Sequence, residues 1–560
     1  MRSLFAAVAV LFAGFSHAQI HPQSSTGGMV VSDSTIASEV GAEILRKGGN
    51  AVDAAVATGF ALAVVFPSAG NIGGGGFMVV RMADGETVAI DYREMAPAAA
   101  HREMYLDEHG ELIPGKSLVG RWAAGVPGTV AGFWEAHRRY GRLDWSDVVE
   151  PAYRLARDGY VVSAARASSL RARASSFKQF KDTYRILNRD GDFYREGELL
   201  IQPDLASTFQ RIRDNGRDGF YKGETARLFV EDARNNGGPF TRADFDNYVA
   251  KVRTPLTGTY KGYDIITMPP PSSGGAAVIQ MLNMLEPHNI GRYEPNSASY
   301  VHRLVETMKR AFADRAAHMG DPDYNNLPVD QLIDKQYAQE LNESITTKAT
   351  PSTEIKAGIF PPKEGENTTH FSVVDKDGNA VSNTYTLNTG YGSLVIAEGT
   401  GVLLNNEMDD FTSKPGVPNA YGLIQGEANA IEPGKRPLSS MTPTIIVKDG
   451  KLFMVTGSPG GPTIINTVMH SFLNVVEHGM TVQQAVAFPR FHHQWMPDVI
   501  RWEPFGLSAE TRLTLQAMGH TLAARPARMG SCHAIMVGAD GTLLAGIDPR
   551  TIGAGASWPD

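Results

Sequence analysis

The sequence predicts an α+β fold, and three observations carry that reading. Four segments repeat one pattern of a β-prone run, an Asp-Gly turn and a second β-prone run: residues 77–82 with 86–92, 371–374 with 380–385, 444–447 with 452–456, and 534–537 with 542–545. Asp-Gly between such runs is a strong hairpin signal. The two middle hairpins are strongly apolar, as strands covered on both faces are. Helical spacing is confined to other stretches, and separate runs of strands and helices indicate α+β layering.

In chain order, residues 1–18 read as a secretory signal. Arg2 supplies the positive start, residues 4–15 are apolar, and Ser16-His17-Ala18 puts small residues before a cut that leaves Gln19 first. That run is too short to span a bilayer, so no membrane anchor is expected once it is removed, and a periplasmic or secreted location follows. Residues 34–47 have helical spacing, with Asp33 or Ser34 as N-cap and Gly48-Gly49 as stop. Asn50 caps a second, Ala-rich helix that ends before Pro67, with Asp53 placed as in a capping box. Further helical patterns lie around 122–140, 145–158, 300–318 and 463–478. Residues 343–366, rich in Thr, Lys, Glu and Pro, read as an exposed, loosely ordered connection of the kind where chains are cut.

Composition narrows the function. With 52 Lys+Arg against 60 Asp+Glu the net charge is −8, so nucleic acid is not an expected partner. One cysteine, Cys532, allows neither an internal disulfide nor a CxxC metal site. His492-His493 is the only His pair, and neighbours in an extended segment face opposite ways, so a structural role is expected. Asp321 and Asp323 lack the other ligands of a calcium loop and read as turn residues around Pro322. Gly73–Gly76 precedes a strand instead of opening a helix, which argues for close backbone packing over dinucleotide binding. No GxSxG elbow is present. Asn367-Thr368-Thr369 matches a short glycosylation sequon, a pattern common by chance.

Thr368 stands at the end of the loose connection, just before a strand pattern that begins at Thr369 or His370. A Thr hydroxyl is a weak nucleophile unless a base stands beside it, and its own α-amino group can be that base once the preceding bond is cut. With a pKa of about 7.7–8.0, that amine is substantially neutral near physiological pH. Location and chemistry therefore agree on a cut between Asn367 and Thr368.

The residues from Thr368 carry more. Thr368-Thr369-His370-Phe371-Ser372-Val373-Val374-Asp375, then Thr384-Tyr385-Thr386-Leu387-Asn388, resemble the start of the small subunit of the γ-glutamyltranspeptidase (glutathione hydrolase) family. Asn405-Asn406-Glu407-Met408-Asp409-Asp410-Phe411, Lys435-Arg436-Pro437-Leu438-Ser439-Ser440-Met441 and Gly457-Ser458-Pro459-Gly460-Gly461 continue in that family's order. In the N-terminal half, Gly70–Phe77 and Asp91-Tyr92-Arg93-Glu94-Met95-Ala96-Pro97 fit as well.

The resemblance implies the N-terminal nucleophile hydrolase fold, a four-layer αββα sandwich formed by two autoprocessed subunits, 19–367 and 368–560, that remain a heterodimer. It implies no cofactor and no metal. Thr368 would attack the γ-glutamyl carbonyl of glutathione or a related γ-glutamyl compound, Thr386 would orient it, and backbone N–H groups at Gly460 and Gly461 would hold the oxyanion. Arg93, Ser439 and Ser440 would bind the α-carboxylate, and Asn388, Glu407 and Asp410 the α-ammonium. Residues 414–432, with Tyr421, resemble a lid loop. Water, an amino acid or a dipeptide would accept the γ-glutamyl group. The rival of the same fold is a glutaryl-type cephalosporin acylase, whose substrate has no α-ammonium. A non-enzymatic exported binding protein is the rival from another class, and it would remain one uncut chain.

Overall fold

All four Asp-Gly segments close as antiparallel hairpins in the computed structural model. Phe77 stands opposite Asp91, Phe371 opposite Asn383, Ile445 opposite Val455 and Ile535 opposite Ala545. The turn glycines Gly85, Gly378, Gly450 and Gly541 take φ of 98°, 88°, 75° and 88°, which a residue with a Cβ resists. The structure describes residues 22–189, 191–358, 369–414, 417, 419–420, 423, 427–551 and 553–558. The expected signal peptide, the Asn367–Thr368 bond and Tyr421 lie outside them.

The hairpins belong to two seven-stranded antiparallel sheets. One has the order Ser24–Ser25, Leu543–Gly546, Ala534–Val537, Lys451–Thr456, Thr444–Lys448, Tyr263–Thr267, Leu256–Tyr260. The other runs Ala554–Trp558, Gly28–Ser32, Thr369–Val374, Ala380–Thr386, Gly75–Arg81, Thr87–Tyr92, Lys251–Arg253. Strands from before and after residue 368 stand side by side in both.

Side-chain alternation along the strands builds the layers. Met29, Val31, Phe77 and Val79 meet Ile445, Val455 and Ile535 in a core between the sheets. Val30, Met78 and Val80, one residue out of phase, pack against the helices Thr35–Arg46, Ala51–Val65 and Thr129–Tyr140. Ile446 and Met454 face the helices Gly274–Leu285, Ala298–His318 and Pro462–Val476 on the opposite side. The result is the αββα order. Helix Ala51–Val65 is buried along its whole length, and Asn50 and Asp53 form the expected capping box, an N-terminal bond of about 1 kcal/mol.

Two expectations need correction, and one of two alternatives is settled. The pattern at 122–140 becomes a helix only from Thr129. Pro127 disfavours helical backbone at the residue before it, and Val126 instead bridges to Met95. Of the two candidate caps of Thr35–Arg46, Ser34 takes the N-cap position, without a side-chain cap bond, and Asp33 turns its carboxylate to Thr369 and His533. The connection 343–366 is not loose over its described part. Ala349 N–H donates to Met518 O at 2.8 Å, Ser352 N–H to Asp498 Oδ2 at 2.7 Å and Gly358 N–H to Asp314 Oδ1 at 3.0 Å. Polar bonds hold it, so its hydropathy carried no sign of order.

Candidate active site

Thr369 begins the strand that the predicted nucleophile would lead into. Its Oγ1 donates to Asp33 Oδ2 at 2.6 Å. Asp33 Oδ1 meets His533 Nε2 at 3.0 Å and accepts from Ser531 Oγ at 3.3 Å. Burial alone would raise the Asp33 carboxyl, but His533 and the surrounding hydroxyls outweigh it and hold the group below its ordinary value. Ser531 carries the network onward, since its N–H donates to Ser458 Oγ at 3.0 Å. Ser458 opens the loop that contains the predicted oxyanion donors.

That loop joins strand Lys451–Thr456 to helix Pro462–Val476. Gly461 is the helix N-cap, at φ 64° and ψ −133°, a region essentially reserved for glycine. At Gly460, φ is 124°, and a Cβ would stand 2.5 Å from Thr463 Oγ1 and 2.9 Å from Gly530 Cα. Pro462 at the first helical position has no N–H to contribute. Loop amides at the positive end of a helix are suited to negative charge.

Arg93 follows directly on strand Thr87–Tyr92, fixed by Asp91 Oδ1, which accepts its N–H at 3.0 Å, and by Tyr248 OH, which donates to its carbonyl at 2.8 Å. The side chain is 1% exposed. Its Nη1 pairs with Glu407 and its Nη2 with Asp410. Nε donates to Pro437 O at 3.1 Å and Nη2 to Leu438 O at 3.0 Å. The residues predicted to take the two ends of an amino acid are thus in direct contact with each other. Glu94 Oε2 stands 3.5 Å from Arg93 Nη1, and burial pushes its carboxyl up to about 7 against the pull of Arg93. Burial likewise raises Glu407 and Asp410 well above ordinary values, while Arg93 opposes it. One guanidinium faces three buried carboxyls here. Among the described residues Glu407 Oε2, Asp410 Oδ1 and Asn388 Oδ1 have no hydrogen-bond donor. Surplus buried acceptors of this kind suit a cation with several N–H groups.

The other predicted residues connect to this cluster. Thr386 sits opposite Gly75, and its Oγ1 accepts from Asn388 N–H at 2.7 Å. Close packing explains the glycine run there, since a Cβ on Gly74 would lie 1.9 Å from Thr386 O. Asn388 Nδ2 donates at 2.9 Å to the carbonyl of Asn406, the residue before Glu407. Ser439 Oγ accepts from Met441 N–H at 3.1 Å, and Ser440 Oγ from Arg315 Nη2 at 2.5 Å. The described part of 414–432 reaches the acidic pair: Ala420 N–H donates to Asp409 Oδ2 at 3.3 Å and Asn429 Nδ2 to Asp410 O at 2.6 Å. A cavity of about 250 Å³ opens beside Asp409 and Lys414. Asn367, Thr368 and Tyr421 fall outside the described residues.

Elsewhere the polar residues have structural partners. His492 bonds Asn466 and Gln494, and His493 bonds Asp498. Asp321 accepts from Arg436 N–H, and Asp323 pairs with Lys251 and Arg253. His302, Glu306 and His520 lie close enough to hold a metal ion. Both His302 nitrogens are nevertheless engaged, by His520 and Thr346 O, and Glu306 pairs with Lys309 and Arg310. Cys532 is buried with its thiol raised by desolvation, which keeps it unreactive. Asp33, Ser531, His533, Glu94 and Arg315 were not anticipated. Asp33 carries a local signal, but that signal reads as a helix cap.

Two stacked antiparallel sheets between helical layers, with a glycine loop on a helix N-terminus, define the class of N-terminal nucleophile hydrolases. The crystal structure of cephalosporin acylase from Bacillus halodurans matches with a TM-score of 0.86 at 26% identity, over 98% of this chain and 100% of that one. The chain belongs to the γ-glutamyltranspeptidase family, whose sequence model, described as Gamma-glutamyltranspeptidase, matches residues 37–558. It is 49% identical over 534 residues to the glutathione hydrolase proenzyme of Escherichia coli K12, covering 95% of this chain and 92% of the relative. The Helicobacter pylori γ-glutamyltranspeptidase structure matches at 43% identity and a TM-score of 0.59, over 60% of this chain and 97% of that one. Similarity extends to acylase ACY 1 proenzyme of a Pseudomonas strain, 37% identical over 93% of this chain and 92% of that protein.

Proposed function

We propose that this protein is a self-processing γ-glutamyltranspeptidase that cleaves the γ-glutamyl bond of glutathione and related compounds. The observation that carries this reading is the Arg93–Glu407–Asp410 cluster, with its excess of carboxyls and its unpartnered acceptors on Asn388, Glu407 and Asp410. An α-ammonium would donate to those acceptors and favour the charged form of the raised carboxyls. A glutaryl group, lacking the ammonium, would leave the acids uncompensated, which disfavours the acylase alternative despite the ACY 1 likeness.

Processing would free the Thr368 amine by cutting the Asn367–Thr368 bond, giving chains 19–367 and 368–560. The Escherichia coli relative is named a proenzyme. The Helicobacter pylori chain matches about the share of this one that the larger product would take. In turnover the Thr368 amine accepts the Oγ proton as Oγ bonds to the γ-carbonyl carbon, and the oxygen takes up negative charge at the Gly460–Gly461 loop. Donors aimed at such an oxyanion contribute about 3–4 kcal/mol each. Collapse breaks the C–N bond, and the leaving amine takes the proton from the Thr368 ammonium. Water or the amine of an amino acid or dipeptide then attacks the ester by the same route. Asn388, Glu407 and Asp410 would hold the α-ammonium, and Arg93, Ser439 and Ser440 the α-carboxylate. The lid 414–432, with Tyr421, would cover the donor.

Residues 1–18 would direct export to the periplasm or outside the cell. Among the described residues no helix is long and apolar enough to cross a membrane.

Mass spectrometry of the purified protein tests the reading. Two chains are expected, the smaller beginning at Thr368 and the larger at Gln19. Thr368→Ala should stay uncut and inactive. The active protein should release nitroaniline from L-γ-glutamyl-4-nitroanilide faster than from its glutaryl analogue. An active single chain, or equal rates on the two substrates, would refute it.

A further inference from the structure

Three consecutive carbonyls of the glycine loop each accept a hydrogen bond. Ser458 Oγ donates to Pro459 O at 2.7 Å. Thr463 Oγ1 reaches back past the N-cap Gly461 and donates to Gly460 O. Ile464 N–H donates to Gly461 O at 2.8 Å. The first two donors are side chains, and both Ser458 and Thr463 are buried. Ser458 Oγ also accepts from Ser531 N–H at 3.0 Å. Its hydrogen is therefore committed to Pro459 O while its oxygen is tied to the neighbouring segment. Gly530, at φ 63°, lets that segment approach, since a Cβ there would stand 2.7 Å from Ser458 Oγ.

A peptide unit is planar, and in the trans form its C=O and N–H point in opposite directions. The Pro459–Gly460 and Gly460–Gly461 peptides are both trans. Pro459 O lies in one rigid plane with Gly460 N–H, and Gly460 O in one plane with Gly461 N–H. A hydroxyl that fixes either carbonyl therefore fixes the direction of the N–H on the opposite edge. Glycines need such fixing. Without a Cβ their backbone angles are the least restricted of any residue, so a peptide between two of them can swing as a unit. The angles found here, φ 124° at Gly460 and φ 64° at Gly461, are not selected by local preference alone.

We infer that Ser458 and Thr463 are positioning residues for the oxyanion, each aiming one backbone donor by holding the carbonyl behind it. Ser458 sets the direction of Gly460 N–H, and Thr463 that of Gly461 N–H. Neither hydroxyl is itself an oxyanion donor, because each has its hydrogen on a carbonyl. The assignment rests on the acyl-transfer reading of the site. It adds the physical reason that the donors are held ready, since preorganised dipoles need not reorient as charge develops.

The test separates aim from folding by using two inhibitors of the processed enzyme. L-Glutamate has a planar γ-carboxylate. In 2-amino-4-boronobutanoate, boron replaces that carboxyl carbon. Thr368 Oγ bonds to boron, its proton passes to the Thr368 amine, and the tetrahedral adduct places an oxygen where the oxyanion would lie. Thr463→Val keeps the shape and removes the hydroxyl. On L-γ-glutamyl-4-nitroanilide its kcat should fall about tenfold with KM within about twofold, the scale of one neutral hydrogen bond. Inhibition by the boronate should weaken by the same factor as kcat, and inhibition by glutamate should not change. Thr463→Ser, which restores the hydroxyl, should return kcat to within about twofold of the parent. Ser458→Ala should behave as Thr463→Val does, and the double variant should lose about 100-fold, the scale of one lost oxyanion donor. Where Thr463→Val or Ser458→Ala fails to accumulate as processed enzyme, Thr463→Ala or Ser458→Cys, with its weak S–H donor, takes its place. An unchanged kcat in either single variant would overturn the assignment for the peptide it holds. Equal losses of boronate and glutamate affinity would mark a general defect and overturn it for both, with γ-glutamyl turnover by the parent still standing. A parent enzyme inert toward the anilide would remove the γ-glutamyl reading and the assignment with it.

Discussion

Thr369 Oγ1 donates to Asp33 Oδ2 at 2.6 Å across 336 positions of sequence. The contact anchors the residue after the proposed nucleophile to the N-terminal part of the chain. Through Ser531 and Ser458 the same carboxylate reaches the glycine loop. One buried acid thus relates the attacking strand to the loop proposed to stabilise the oxyanion.

Asp33→Ala removes one member of a buried pair and should destabilise the protein by about 3–5 kcal/mol. The uncut Thr368→Ala background gives a single chain for thermal unfolding. In Asp33→Asn the difference from the parent should have a set pH dependence. The folded-state carboxyl lies below its ordinary 3.8, so the unfolded state binds the proton first as pH falls. The contribution is fully present above 3.8 and is lost below it. A difference that instead collapses between pH 5 and 7 would contradict this.

Glu407→Gln keeps an acceptor and removes one charge from a crowded acidic site, so the KM for a γ-glutamyl anilide should stay within about fivefold. Asp410→Ala removes the acceptors altogether, and KM should rise about 10–100-fold. Steady-state kinetics of the two processed variants decide the point. Equal effects would place the ammonium elsewhere.

Glu94 should make stability fall as pH rises. Its folded-state carboxyl titrates near 7 against 4.5 for a free one. Between those values the folded state holds a proton that the unfolded chain has lost, at a cost on the order of 3 kcal/mol by pH 8. In the uncut background, Glu94→Gln should lose less thermal stability between pH 5 and pH 8 than its parent. Parallel losses would rule out the effect.

Gly461→Ala forces a Cβ into backbone at φ 64° and ψ −133°. The loop should shift and kcat fall about 100–1000-fold, the scale for one oxyanion donor, with KM nearly unchanged. Normal kcat in this variant would exclude the loop from catalysis.

The sheets were legible because Asp-Gly turns and period-two alternation are local signals, and all four hairpins formed where those signals lay. The ends of elements were less so. Val126 bridges to Met95, a contact that 122–128 cannot announce. The order in 345–358 comes from bonds to Asp314, Asp498 and Met518, distant groups with no local pattern. Arg93, Glu407, Asp410 and Ser440 were legible through the family resemblance, which ties types to positions. The pairing of Arg93 with the two acids was not, because the resemblance describes these residues holding a substrate, and without one the opposite charges meet each other. Asp33 and His533 meet across 500 positions and Arg315 meets Ser440 across 125, and the local signal at Asp33 reads as a helix cap.

Strand Thr369–Val374 lies between Gly28–Ser32 and Ala380–Thr386, and strand Ala380–Thr386 between it and Gly75–Arg81. A break before Thr368 would therefore leave two chains that share both seven-stranded sheets. Unfolding then becomes dissociation as well, and reassembly must bring two molecules together. Recovery from heat or denaturant would depend on concentration and compete with aggregation, whereas the unbroken chain refolds alone. Persistence of the mature form is in that sense set by how slowly it opens. On the proposed processing, folding would have to come first and the break second.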